Sequence, residues 1–172
     1  QTCALPIFLI IFLLPAISVA WAQTVQSCLE CHPDKETHLQ SIHKDRTCSD
    51  CHQGFVEYPH PTAPDGGSTA SRDKIVAMCG RCHGDLKFVE DKRVPGRLLP
   101  FINYRESVHG RAAADGKVEA AICTDCHGSH EALPPSDSKS RVSQSNVAAT
   151  CGSCHGTELS QYRSSVHGTA QA

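Results

Sequence analysis

Five copies of one short pattern run through this 172-residue sequence: two cysteines separated by two residues, with a histidine directly after the second. C-x-x-C-H is the attachment signature of c-type haem. The two thiols form thioethers on one edge of the porphyrin, and the adjacent histidine reaches the iron as its proximal ligand. The repeated pattern therefore predicts five covalently bound haems c, each with its iron.

The five motifs supply the first group of candidate site residues. The predicted thioether cysteines are Cys28, Cys31, Cys48, Cys51, Cys79, Cys82, Cys123, Cys126, Cys151 and Cys154. The predicted proximal ligands are His32, His52, His83, His127 and His155. The eleventh cysteine, Cys3, lies in an apolar leader outside the motifs.

Three other uses of paired cysteines fit the pattern less well. Zinc ribbons use C-x-x-C twice for each metal and need no histidine after every second cysteine. A disulfide scaffold suits an exported, cysteine-rich chain but predicts no histidine at a fixed position. A thioredoxin-like redox site needs one such pair on an α/β fold, not five.

Six histidines lie outside the motifs and are candidates for the distal side of the irons. The internal repeat selects five of them as distal ligands: His43, His60, His109, His130 and His167. His38 has no counterpart in the repeat and is the alternative to His43. Imidazole suits iron, and the single methionine, Met78, adjoins a motif cysteine. We expect mostly bis-histidine, low-spin haems, but spacing does not say which distal histidine serves which iron.

The chain repeats a unit built of a motif, a Ser-x-His, a second motif and a trailing histidine. Ser-Val-His-Gly occurs at 107–110 and again at 165–168, with a looser copy at 41–43. We expect a signal peptide over 1–22, di-haem units over 23–62 and 63–133, and a truncated third unit over 134–172. The repeat predicts a further motif after residue 172, so we interpret the chain as a fragment of a longer protein.

The fold class predicted is mostly coil with several short α-helices, organised around the haems. The sequence has only five Phe, three Tyr, one Trp and one Met, so it buries little apolar surface without a cofactor. Helical patterns cover 71–82, 98–109, 143–154 and 158–167. No sustained alternation of β-branched and polar residues predicts a strand. Proline-rich joins follow at 59–71 and 133–143.

The apolar run over residues 5–20, followed by Ala20-Trp21-Ala22, is typical of an export signal with its cleavage site. An uncleaved anchor is the alternative, which leaves membrane association open. Export predicts a periplasmic or otherwise extracytoplasmic location. The formal net charge is −2, so no nucleic-acid partner is expected.

These motifs, together with Ser-Val-His-Gly and the run from Cys123 to His130, resemble the class III multihaem cytochromes c. More narrowly, they resemble exported, repeat-containing multihaem cytochromes of anaerobic respiratory bacteria. The resemblance implies periplasmic electron transfer through bis-histidine haems. It also implies a redox partner protein, either a membrane quinol-linked cytochrome or a terminal reductase.

Three function classes are compatible with these residues: an electron carrier, a reductase and an assembly subunit. With both axial positions filled, no substrate reaches the iron, so an electron carrier is favoured over an enzyme. The alternative is a multihaem reductase of a small nitrogen or sulfur oxyanion, with one open haem. No C-x-x-C-K occurs, which counts against the nitrite-reductase version. The assembly role would be that of a subunit in a haem filament or a membrane complex.

Overall fold

The structure is a computed structural model, and it describes residues 25–53, 71–91 and 100–171. The predicted signal peptide, the candidate ligand His60 and almost all of the first proline-rich join lie outside the described residues.

Short helices joined by turns make up the described ranges, in which no strand occurs. The elements are α1 (Val25–Leu29), a 3-10 helix (Pro33–Gln40), α2 (Cys48–Cys51), α3 (Arg72–His83), α4 (Leu86–Asp91), α5 (Pro100–Glu106), α6 (Val108–Ala114), α7 (Cys123–His127), α8 (Val147–Gly152), α9 (Gly156–Ser164) and α10 (Val166–Gln171). The prediction of short helices without strands is confirmed. None of the described helices has the length and apolar character needed to cross a bilayer.

Two predicted helices are each divided into two by a serine. Ser107 Oγ donates to the carbonyl of Tyr104 at 2.6 Å and accepts from Gly110 N at 3.1 Å. It therefore ends α5 and caps α6. Ser165 makes the same two bonds, at 2.6 and 3.2 Å, between α9 and α10. A side chain at Gly110 or Gly168 would collide with the tyrosine carbonyl of its own copy, so glycine is needed at both positions.

Little apolar surface is buried in the described ranges. The buried apolar residues there are Leu29, Val89, Ala120, Ile122 and Ala132. Three serines are as deeply buried: Ser41, Ser140 and Ser143. Since burial of large apolar side chains is the main stabilising term in folding, this core is thin for the length of the chain.

Polar contacts hold successive motifs together instead. Helix α3, which ends in the third motif, packs against α4, α5 and α7. Arg72 at the start of α3 donates to the carboxylate of Asp125 at 2.5 Å and to the carbonyl of Ala120 at 2.7 Å. Arg81 donates to the carbonyl of Asp50, inside the second motif, at 2.9 Å. The third motif is thereby tied to both the second and the fourth.

Candidate functional site

The third and fifth motifs share one local structure, at the C-terminal end of a helix. In each, a glycine follows the first cysteine, and an apolar side chain lies directly against it. Phe101 covers Gly80, and Leu159 covers Gly152 so closely that a larger residue would collide. The small residue thus lets an apolar wall reach the backbone beside the two thiols.

The second and fourth motifs form a different local structure, a single helical turn capped by an aspartate. Asp50 Oδ2 accepts from Thr47 N at 2.8 Å, and Asp125 Oδ2 accepts from Ile122 N at 2.8 Å. Desolvation opposes the ionisation of Asp125, but the bonds from Ile122 and Arg72 outweigh it and lower the pKa of this carboxyl. The two kinds of motif alternate from the second motif to the fifth, in step with the sequence repeat.

Nine of the ten motif cysteines are free thiols. They are Cys28, Cys48, Cys51, Cys79, Cys82, Cys123, Cys126, Cys151 and Cys154. Cys31 is disulfide-bonded, and that bond must be reduced before a thioether can form there. Within the described ranges, no three or more His, Cys, Asp or Glu side chains converge on a metal position. This arrangement differs from the four-ligand clusters of structural zinc sites.

Thiols of successive motifs approach each other in two hydrogen-bonded pairs. The thiols of Cys28 and Cys48 are hydrogen-bonded, and burial together with this hydrogen bond raises the pKa of Cys48 to about 11. The thiols of Cys79 and Cys123 are also hydrogen-bonded, which raises the pKa of Cys79 and lowers the pKa of Cys123 to about 7. Each pair joins the first cysteines of the two motifs within one predicted unit.

Two further cysteine pairs link motifs of different units. Cys51 interacts electrostatically with Cys82, and Cys126 with Cys151. Together with the two hydrogen-bonded pairs, these interactions link each motif to the next one in the sequence.

Three histidines outside the motifs each lie against the histidine of a motif. Their ring centroids are separated by 6.0 Å for His43–His83, 5.9 Å for His52–His130 and 5.9 Å for His109–His155. A metal–imidazole bond is about 2 Å and the ring centroid lies roughly 1 Å behind its nitrogen, so two imidazoles on one metal have centroids roughly 6 Å apart. Each pair therefore has the spacing that a single iron between the rings requires.

Burial keeps four of these six rings in the form that binds metals. Desolvation is the main cause that lowers the pKa of each of four paired histidines: His43, His52, His83 and His130. A lowered pKa leaves the imidazole neutral near pH 7, and metals bind the neutral ring.

An exposed apolar side chain precedes the histidine in all three Ser-x-His copies. The exposed fractions are 50% for Ile42, 67% for Val108 and 77% for Val166. A haem macrocycle beside His43 or His109 would cover the apolar side chain that precedes the histidine, so these residues fit the predicted group.

An open cleft of ≈ 290 Å³ borders the fifth motif. Cys151 and His155 line it together with Leu159 and Tyr162. One thioether candidate and the proximal candidate of the same motif thus face a common space with an apolar wall.

The remaining candidate ligands differ from the three pairs. His38 Nε2 is 3.0 Å from the carbonyl oxygen of Arg46, so one ring nitrogen of His38 already has a partner. His167 is exposed, and among the described residues no ring contact joins His167 or His127 to another histidine. His32 and His52, the histidines of the first two motifs, interact electrostatically.

The sequence identified the members of these pairs but not their pairing. Each pair joins histidines from different predicted units, and spacing along the chain carries no signal of that. Comparison of the chain with protein-family models, curated proteins and solved structures finds no match.

Proposed function

We propose that this protein is an extracytoplasmic electron-transfer protein that carries five covalent haems c, most of them with two axial histidines. The observation that carries the proposal is the spacing of the three histidine pairs, 5.9 to 6.0 Å between ring centroids. Free cysteine pairs stand directly before the motif histidine in the four motifs that follow the first.

The residues of the chain hold and enclose the cofactor rather than react. The motif cysteines would hold each haem covalently, and the paired histidines would bind its iron. When bound, haem c supplies a one-electron Fe(III)/Fe(II) couple. An iron held by two histidines would have no coordination position left for a substrate, so this ligand set would support transfer of electrons and not chemistry on a bound molecule.

The links between successive motifs support a conduit that runs from the first motif to the fifth. We propose that single electrons enter from a reduced redox protein, such as a membrane quinol-linked cytochrome, and leave to an oxidised one, such as a terminal reductase. No atom is transferred, and each electron lost by the donor is gained by the acceptor. The apolar leader over residues 5–20 supports export, so we expect this exchange in the periplasm or otherwise outside the cytoplasm.

One observation favours a second candidate, a reductase of a small nitrogen or sulfur oxyanion. Among the described residues, no histidine ring lies against His127 of the fourth motif. An iron held by His127 alone would keep one position open for a ligand. The oxyanion would then accept electrons delivered from the reduced redox partner.

A haem count and an EPR spectrum on one sample test the proposal. The chain is expressed in the periplasm with a c-type haem maturation system, and covalent haem is measured as the pyridine haemochrome. Five haems per chain, most of them low-spin when oxidised and none changed in spin state by added nitrite or sulfite, are expected for the carrier. A high-spin haem whose signal such an oxyanion shifts would favour the reductase, and an absence of covalent haem would overturn both.

A further inference from the structure

The three histidine pairs each join side chains from different predicted units of the chain. We propose that the distal ligands are exchanged between units, so that each iron held by one of these pairs connects two units. This inference rests on the proposed function. The three ligand sets are His83 with His43, His52 with His130, and His155 with His109.

The exchange between the first two units is reciprocal, and a backbone contact holds it in place. Ser41, which precedes His43 by two residues, is buried, and its Oγ accepts from His43 N at 3.1 Å. The next residue, Ile42, donates its N–H to the carbonyl of Ala132 at 2.9 Å. Ala132 follows His130 by two residues. The two segments that carry the exchanged histidines are therefore hydrogen-bonded to each other.

Both Ser-x-His histidines that have a partner follow one rule. His43 lies between the first and second motifs and faces the third, while His109 lies between the third and fourth and faces the fifth. Each therefore reaches two motifs ahead. His130, which trails the fourth motif, reaches two motifs back to the second. Under this rule His167, which follows the fifth motif, serves none of the five irons.

Ligand exchange has a consequence that ligation within a unit does not have. Loss of a distal histidine opens an iron in another unit and leaves the haems of its own unit intact. The identity of the opened iron therefore separates the two arrangements, and it can be measured without an activity assay.

The test uses His43→Ala in the haem-loaded protein, in three backgrounds. The first is otherwise wild type, the second has the third motif disabled by Cys79→Ala and Cys82→Ala, and the third has the first motif disabled by Cys28→Ala and Cys31→Ala. Spin state is measured by EPR, and carbon monoxide binding by the reduced protein is titrated. The motif variants without His43→Ala serve as controls, and haem is counted in every sample.

We expect one additional high-spin haem and one additional bound carbon monoxide per chain from His43→Ala, relative to the unmutated protein. Both signals should persist when the first motif is disabled and disappear when the third is disabled. Persistence with the third motif disabled, or no high-spin haem at all, would overturn the exchange. A haem count far below five in the unmutated protein would instead contradict the proposed function.

Two further variants keep the test decisive if His43→Ala does not fold. His43→Met retains an axial ligand, and methionine raises the potential of a haem. We expect a single haem to shift upward, and that shift should be lost when the third motif is disabled. His167→Ala is the matched control and should leave all five haems unchanged in spin state; a new high-spin haem there would contradict the two-motif rule.

Discussion

The two Ser-Val-His-Gly copies have the same local structure and different surroundings. Ser107 and Ser165 make the same pair of hydrogen bonds, and the valine before each histidine is exposed in both. Yet the ring of His109 lies 5.9 Å from that of His155, whereas His167 contacts no histidine ring among the described residues. The repeat thus determines how a histidine is presented, and the tertiary arrangement determines what it meets.

The surroundings of the first copy explain the difference. Tyr104, three residues before Ser107, donates its hydroxyl to the carbonyl of Ala121 at 3.1 Å. Ala121 lies two residues before the fourth motif. Helix α5 packs on α3, whose Arg72 is bonded to Asp125. The first copy is therefore held between the third and fourth motifs. The helices of the second copy contact each other and α8.

The largest expected effect comes from removing the two histidines in turn. His109→Ala should convert one low-spin haem to high-spin, because His155 would be left as the sole axial ligand of its iron. His167→Ala should change none. EPR of the two oxidised variants, with wild type alongside, measures this. Equal spectra from the two variants would contradict the claim that His109 binds an iron and His167 does not.

Substitutions of Gly110 and Gly168, the glycines directly after the two histidines, should distinguish an effect on local structure from an effect on iron ligation. An alanine at Gly110 or Gly168 collides with a backbone carbonyl, so each variant should lose about 1–3 kcal/mol of folding free energy. Only Gly110→Ala should also produce high-spin haem, since it displaces His109. Denaturant midpoints and EPR on the same samples test this, and an undisturbed midpoint in both would mean that the close contact is absent.

Loss of either capping serine should lower the stability of the fold less than the glycine variants do, and by the same amount in both copies. Ser107→Ala and Ser165→Ala each remove an N-cap, which typically costs about 1 kcal/mol. The midpoints of chemical unfolding should fall by similar amounts in the two variants. A loss confined to one of them would show that the two turns are not equivalent in solution.

The smallest effect is expected at the Arg72–Asp125 ion pair, called here the tether, which helps to hold the first copy in place. Arg72 and Asp125 are both partly exposed, so the free energy of unfolding should fall by at most about 1 kcal/mol in Arg72→Ala. The pKa of Asp125 is lowered in the folded protein, so its contribution is present above the unfolded pKa of about 3.9 and is lost as pH falls through the folded value.

Unfolding curves at neutral pH and at a pH below the folded pKa of Asp125 therefore provide the check on this tether. Wild type and Arg72→Ala should differ at neutral pH and converge in acid. A difference that grows as the pH falls would contradict the assigned role of Asp125. Lys74→Ala, on an exposed part of the same helix, serves as a matched control without the ion pair.

Much of the candidate site followed from local sequence because its parts are local structures. The motif cysteines and histidines are read directly from C-x-x-C-H, and a helix ending in the third motif was predicted almost to the residue, at 71–82 against Arg72–His83. The segment 98–109 was predicted as one helix. A serine that bonds back to Tyr104 ends the helix instead, and that signal lies in side-chain chemistry rather than in apolar periodicity.

The pairing of the histidines lay beyond the sequence for a physical reason. His52 and His130 are 78 residues apart, and contacts at that separation depend on packing between units, which no periodicity encodes. The disulfide at Cys31 is a second feature that the motif did not reveal. His60 and the leader lie outside the described residues, and their predicted roles stay predictions.

An iron anomalous-difference map from crystals of the haem-loaded protein tests the central claim most directly. The account predicts five iron peaks in a row that follows the order of the motifs. Three of them should lie between the rings of His43 and His83, His52 and His130, and His109 and His155. Irons placed away from these three pairs, or rings that have separated in the loaded protein, would contradict it.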